Sequence, residues 1–154
     1  MSKNKKRILA TIMLILWMGV IFWFSAQIAE DSTKQSMGIV EIIKNILGKL
    51  FPATESMSEE AWHHFENFLR KCAHGFIYFI LGLLSCNFSK SYSFRFEKSI
   101  AVAICFIYAV SDEIHQLFVP GRSGQVSDVI VDLIGSLIGI VLFALIKRRN
   151  YEEN

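Results

Sequence analysis

Arg70, Lys71, His74 and Tyr78 lie close together in the chain, as do Asp112, Glu113, His115, Gln116 and Arg122; Asp128 and Asp132 follow a few residues on. All are side chains that can do chemistry. Arg70, Lys71 and Arg122 could hold a phosphate or carboxylate, and the planar fork of Arg122 suits bidentate pairing. Tyr78 and Gln116 could add neutral hydrogen bonds to the same ligand. His74 or His115 could serve as a general base, with Asp112, Glu113, Asp128 and Asp132 orienting it or holding a divalent metal. Support for the metal is weak, because Glu113-x-His115 turns those two side chains to different helix faces.

The elements that must position these groups are membrane helices. The chain of 154 residues has room for one domain, and 53% hydrophobic content with 13 Phe is high for a soluble domain of that size. Four long apolar blocks cover residues 8–24, 72–88, 99–118 and 126–146. A helix rises ~1.5 Å per residue and the hydrocarbon core is ~30 Å thick, so the first block just reaches across with help from its flanks. That block follows Lys3, Lys5, Lys6 and Arg7, as a signal peptide would. It exceeds the usual apolar region of ~7–15 residues, and Ser25-Ala26-Gln27-Ile28-Ala29 is a poor cleavage site, so a retained helix is expected. In the third block, residues 100–110 are too short a span alone. The helix must continue through Ser111, Asp112, Glu113, His115 and Gln116; a re-entrant or interfacial segment is the alternative. The expected fold is therefore all-α: a polytopic membrane protein with four transmembrane helices forming one domain over residues 8–146, with basic tails at 1–7 and 147–154.

Lys and Arg in short flanks set the orientation. Lys3, Lys5, Lys6 and Arg7, then Lys90, Arg95 and Lys98, then Lys147, Arg148 and Arg149 all fall on one side, which makes both termini cytoplasmic. The long segment from Ser25 to Arg70 is acidic and falls outside. Within it, residues 37–51 carry Ile39, Ile42, Ile43, Ile46, Leu47 and Leu50 at a helical period. Residues 58–69 form a second amphipathic helix with Ser58 as N-cap, lying in the headgroup region or packing on the bundle, and Pro52 separates the two. A net charge of +2 is too near neutral to argue for nucleic acid. Cys72, Cys86 and Cys105 sit in apolar blocks without a CxxC pair, and are expected to be buried small hydrophobes.

With that topology the ionisable groups converge. The second span enters from outside, so Arg70, Lys71 and His74 lie near its outer end. Asp112 lies ~20 Å along the third span and Asp132 ~22 Å from the inner end of the fourth. Charged groups at membrane depth are costly and face an interior or a watered cavity. Helical spacing puts Lys71, His74 and Tyr78 on one face, and Asp112, His115 and Gln116 on another. Asp128, Asp132, Gly135 and Gly139 form a stripe, and Gly135-x-x-x-Gly139 allows a close helix approach. The expected site is a polar hollow opening to the outer side. A purely structural network of salt bridges is the alternative.

Arg70-Lys71-x-x-His74-x-x-x-Tyr78-x-x-x-Gly82 resembles one motif of the VanZ-like family, with Gly75 standing where Phe is expected after the His. Ser111-Asp112-Glu113-x-His115-Gln116-x-x-Val119-Pro120-Gly121-Arg122 is similar to its most distinctive motif. Asp128-Val129-x-x-Asp132-x-x-Gly135-x-x-x-Gly139 resembles a third, and Phe24-Ser25-x-Gln27 a short one after the first helix. The resemblance implies a multi-span protein of the bacterial cytoplasmic membrane, and its founding member is associated with low-level resistance to teicoplanin, a lipid-bearing glycopeptide. It names no reaction. Three functions stay open: binding a lipid-linked or acylated ligand, such as a cell-wall precursor or the antibiotic's acyl chain; hydrolysis or transfer on a lipid head group; and a proton or ion path. Residues Ile140, Val141, Leu142 and Phe143 weigh against the path by closing the inner half of the last helix. Oligomeric state is left open.

Overall fold

The computed structural model describes residues 2–27, 29–50, 58–122 and 124–152. Every regular element among them is a helix: α1 (Lys3–Ser25), α2 (Ala29–Leu50), α3 (Glu59–Ser91), α4 (Glu97–Gln116) and α5 (Val126–Glu152). Three are long and apolar enough to cross a membrane, over Lys3–Ser25, Glu59–Ser91 and Val126–Arg148. These three helices mark a membrane protein. α4 falls below the same measure, because its last turns carry Asp112, Glu113 and Gln116.

Local chemistry explains the starts. The Ser2 hydroxyl accepts from the Lys5 amide at 3.4 Å and opens α1. At α3 the Ser58 hydroxyl accepts from the Ala61 amide at 3.3 Å, and Glu59 and Glu60 occupy the positive end of the helix dipole. Three boundaries differ from the sequence expectation. The amphipathic stretch beginning at Ser58 is not a separate helix; it runs without a break into the apolar span, making α3 33 residues long. Arg70 and Lys71 mark a change in polarity, but both are good helix formers and nothing between Leu69 and Cys72 interrupts the backbone. Likewise α2 begins at Ala29, ahead of its first periodic apolar residues, and α5 continues past Ile146 into the basic tail. Pro52 lies outside the described residues.

α3 is the central helix and touches all four others, packing most extensively on α5. The Arg7 guanidinium donates to the Ser91 carbonyl at 3.2 Å, and the Trp17 indole donates to the Ile77 carbonyl at 3.0 Å, so α1 runs antiparallel to α3. The Tyr108 hydroxyl donates to the Met18 carbonyl, and Lys147 pairs with Glu97 at 3.2 Å, tying α4 to α1 and α5. Leu14, Ile21, Tyr78, Leu81, Cys105 and Ala109 form the main core. Ile15, Leu16, Ile107, Val141 and Leu145 are exposed, whereas Ser85, Ser89, Asp112, Asp132 and Ser136 are buried. Apolar groups outside and polar groups inside suit a lipid solvent.

The α3–α5 contact depends on missing side chains. A Cβ at Gly135 would collide with the Gly75 carbonyl, and one at Gly139 with the Phe79 carbonyl. Among the cysteines, Cys86 and Cys105 are buried, but Cys72 is exposed. The Trp17 indole bonds the half-buried Ile77 carbonyl of α3, so Trp17→Phe is expected to lower stability by about 1 kcal/mol, read as a reduced unfolding midpoint in detergent.

Candidate functional site

The site grows from the seam between α3 and α5. Lys71 and His74 are three residues apart on α3, and Asp128 and Asp132 four apart on α5, so each pair shares a face. The Lys71 ammonium lies 3.6 Å from Asp128 Oδ1 and 3.4 Å from the Ser127 hydroxyl. One turn deeper, His74 Nδ1 lies 3.7 Å from Asp132 Oδ1. Asp132 is fully buried, at 0% exposure, and neither carboxylate oxygen has a hydrogen-bond partner. The next turn is the Gly75–Gly135 contact, which brings the two backbones near enough to enclose it.

α4 brings a second acidic set. Asp112 is 4% exposed and accepts from the Gln116 amide at 3.4 Å. Glu113 accepts from the Gln125 backbone amide at 2.7 Å, fastening the start of the α4–α5 connection onto α4. The His115 ring packs on Phe22, centroid to centroid 4.4 Å. Beyond α4, the Arg122 amide donates to the Val119 carbonyl at 3.1 Å, and Gly121 has φ of 77°. Pro at the second and Gly at the third position of that turn are what a type II turn requires. The turn carries the Arg122 side chain back toward α1, where it donates to the Phe24 carbonyl at 3.5 Å. Burial pushes the Arg122 guanidinium below its usual pKa and the like charge of Arg70 adds to this, against the pull of Asp112, Glu113 and Asp128.

Between these parts opens a crevice of about 550 Å³, lined from the end of α1 (Ile21, Phe24, Ser25), from α2 (Ile39), from α3, from α4 and by Arg122. Its walls are largely apolar, with Leu69, Phe76 and Ile77 beside Ile21 and Phe24, and its polar groups are Ser25, Gln27, Arg70, His74, Tyr78, Asp112 and Arg122. The Tyr78 hydroxyl is buried and has no hydrogen-bond partner. A site of this volume, with apolar walls and a few convergent polar groups, is the usual form of a ligand pocket.

Arg70, His74, Tyr78, Asp112 and Arg122 therefore meet on one cavity. Lys71, Asp128 and Asp132 stand directly behind it in the α3–α5 seam, and Gln116 supports Asp112. Glu113 and His115 do not reach it: one is engaged with the connection to α5, the other with Phe22. Gly135 and Gly139 lie at the helix contact. Ser25, Ile39 and Leu69 are lining residues that residue-by-residue reading did not select; only the short Phe24-Ser25-x-Gln27 motif pointed toward that wall. Among the described residues no group of three or more His, Cys, Asp or Glu is placed to hold a metal ion.

This arrangement defines a small helical membrane protein with a polar-headed, apolar-walled cavity at one end of its bundle. The VanZ/LLP1 family model matches residues 10–147, and the chain belongs to that family. No curated protein and no solved structure gives a match.

Proposed function

We propose that this member of the VanZ/LLP1 family is a four-span protein of the bacterial cytoplasmic membrane that binds a lipid-linked or acylated anionic ligand in the crevice at the outer end of its bundle. The crevice itself carries the reading. Its apolar walls match a hydrocarbon chain, while Arg70 and Arg122 supply charge for a phosphate or carboxylate where the chain ends. A cell-wall precursor lipid has both parts of that chemistry, whereas the acyl chain of a lipoglycopeptide, joined through a neutral amide, would use the apolar walls alone; either ligand would connect the site to glycopeptide resistance.

The topology is part of the proposal. α4 is 20 residues long, ~30 Å, and it turns Asp112, Glu113 and Gln116 inward while Phe106, Ile107 and Ile114 face out. That orientation lets it cross beside α1, α3 and α5 without exposing its acids to lipid. Lys3, Lys5, Lys6, Arg7, Lys90, Arg95, Lys98, Lys147 and Arg148 then share the cytoplasmic end, with both termini. α2, with Ile39, Ile42 and Ile46 exposed along one side, lies at the outer interface as an amphipathic cover for the crevice.

One observation favours a second reading, a hydrolase or transferase acting on a lipid head group. His74 lines the crevice with the Asp132 carboxylate behind it, the order in which an acid orients a general base. Turnover of undecaprenyl diphosphate by the purified protein, lost in His74→Gln, would replace binding with catalysis. For binding, Arg122→Ala is expected to weaken retention of undecaprenyl phosphate by about tenfold, measured by native mass spectrometry on delipidated protein. Teicoplanin and its deacylated core form the matching pair for the wall: only the acylated form should compete. Equal retention by Arg122→Ala and the unaltered protein would end this reading.

A further inference from the structure

A second crevice lies at the opposite end of the bundle, between α4 and α5, with a volume of about 440 Å³. Cys86, Phe143 and Ala144 make its floor, and Glu97, Lys98, Lys147 and Arg148 its rim. Among the described residues the rim has three cations and one anion, and Glu97 lies 3.2 Å from the Lys147 ammonium. A further cation, Lys90, sits over the Phe143 ring at 5.9 Å. Positive charge therefore exceeds negative around an apolar slot at the point where α5 changes from apolar to basic. Phe94 and Phe96 are exposed at the same end, as aromatic side chains are at a membrane–water boundary.

We infer that this crevice binds one anionic phospholipid, its phosphate held between Lys98 and Arg148 and the upper part of an acyl chain lying over Phe143 and Ala144. Charge complementarity decides the head group. A basic pocket between membrane helices at the end rich in Lys and Arg attracts acidic lipids, at about a fivefold gain in affinity per cation near the surface. The apolar floor decides against a free anion, which would leave Cys86, Phe143 and Ala144 in water with nothing to cover them. The Lys147–Glu97 pair joins α4 to α5 at the rim, so the lipid would seat against a braced edge.

The test uses full-length protein in detergent, stripped of co-purified lipid. Native mass spectrometry then follows retention of phosphatidylglycerol and of phosphatidylcholine with identical chains. The unaltered protein should retain the anionic lipid at least tenfold better. Lys98→Gln with Arg148→Gln should remove most of that preference, at about fivefold per cation. Ala144→Trp keeps every charge and fills the floor, and it should also reduce phosphatidylglycerol retention. Inorganic phosphate at millimolar concentration should displace little lipid. The inference is overturned if the two lipids bind alike, if both rim and floor variants keep the preference, or if phosphate displaces the lipid freely. Helical circular dichroism and gel-filtration elution identify any variant that has failed to fold.

Discussion

Replacing His74 with leucine is expected to destabilise the folded protein by about 3 kcal/mol, the upper end of what leaving a buried carboxyl group without its partner costs. Asp132 has no exposed surface, and its oxygens receive no hydrogen bond. The imidazole at 3.7 Å is the basic group paired with it, and Lys71 is engaged one turn away with Asp128. The reverse substitution should be much milder. The His74 side chain is 24% exposed and lines the crevice, so with Asp132→Asn it can stay neutral and meet water. A cycle of His74→Leu, Asp132→Leu and the double variant, followed by chemical denaturation in mixed micelles, reads the coupling directly. The double variant should recover most of the loss, because two apolar side chains replace a pair that had to be desolvated. Equal destabilisation by His74→Leu and Asp132→Asn would show that the pair is not what keeps Asp132 in place.

Gly135→Val should be as damaging, at about 3 kcal/mol, the upper end of what overpacking costs, for a different reason. The obstacle to a new Cβ is the Gly75 carbonyl of the facing helix, and a backbone group cannot rotate out of the way as a side chain can. α3 and α5 would have to separate, loosening the Lys71–Asp128 and His74–Asp132 pairs with them. Gly19→Ala is the matching control. Nothing lies within 4 Å of a Cβ added there, so the change should be neutral or stabilising by up to ~1 kcal/mol from helix propensity. Both are read as shifts in the denaturation midpoint. Unaltered stability in Gly135→Val would mean that the seam is looser than its geometry indicates.

These two expectations bear on the crevice lined by His74 and Arg122. Its polar wall is α3, and α3 is held at the depth of Arg70, His74 and Tyr78 by its contact with α5. Ligand capture should therefore fail in Gly135→Val even though Gly135 does not line the cavity. Arg122→Ala should instead affect capture and leave the unfolding midpoint alone. Comparing the two separates loss of the frame from loss of a ligand contact.

Much of the frame was readable from one-dimensional pattern, because helix periodicity and membrane thickness are both local rules. Apolar block lengths placed the helices, and spacing of three and four put Lys71 with His74 and Asp128 with Asp132 on common faces. Where polarity changed without a backbone breaker, local reading failed: Arg70 and Lys71 suggested a boundary inside what is one continuous α3. The tertiary structure alone decided which acid faces which base, that Glu113 and His115 turn to the α5 connection and to Phe22, and that Ser25 and Ile39 close the cavity wall. Those choices depend on how helices distant in sequence are rotated against one another. That rotation follows from the summed packing of small residues along α3 and α5, and no single stretch of sequence contains it.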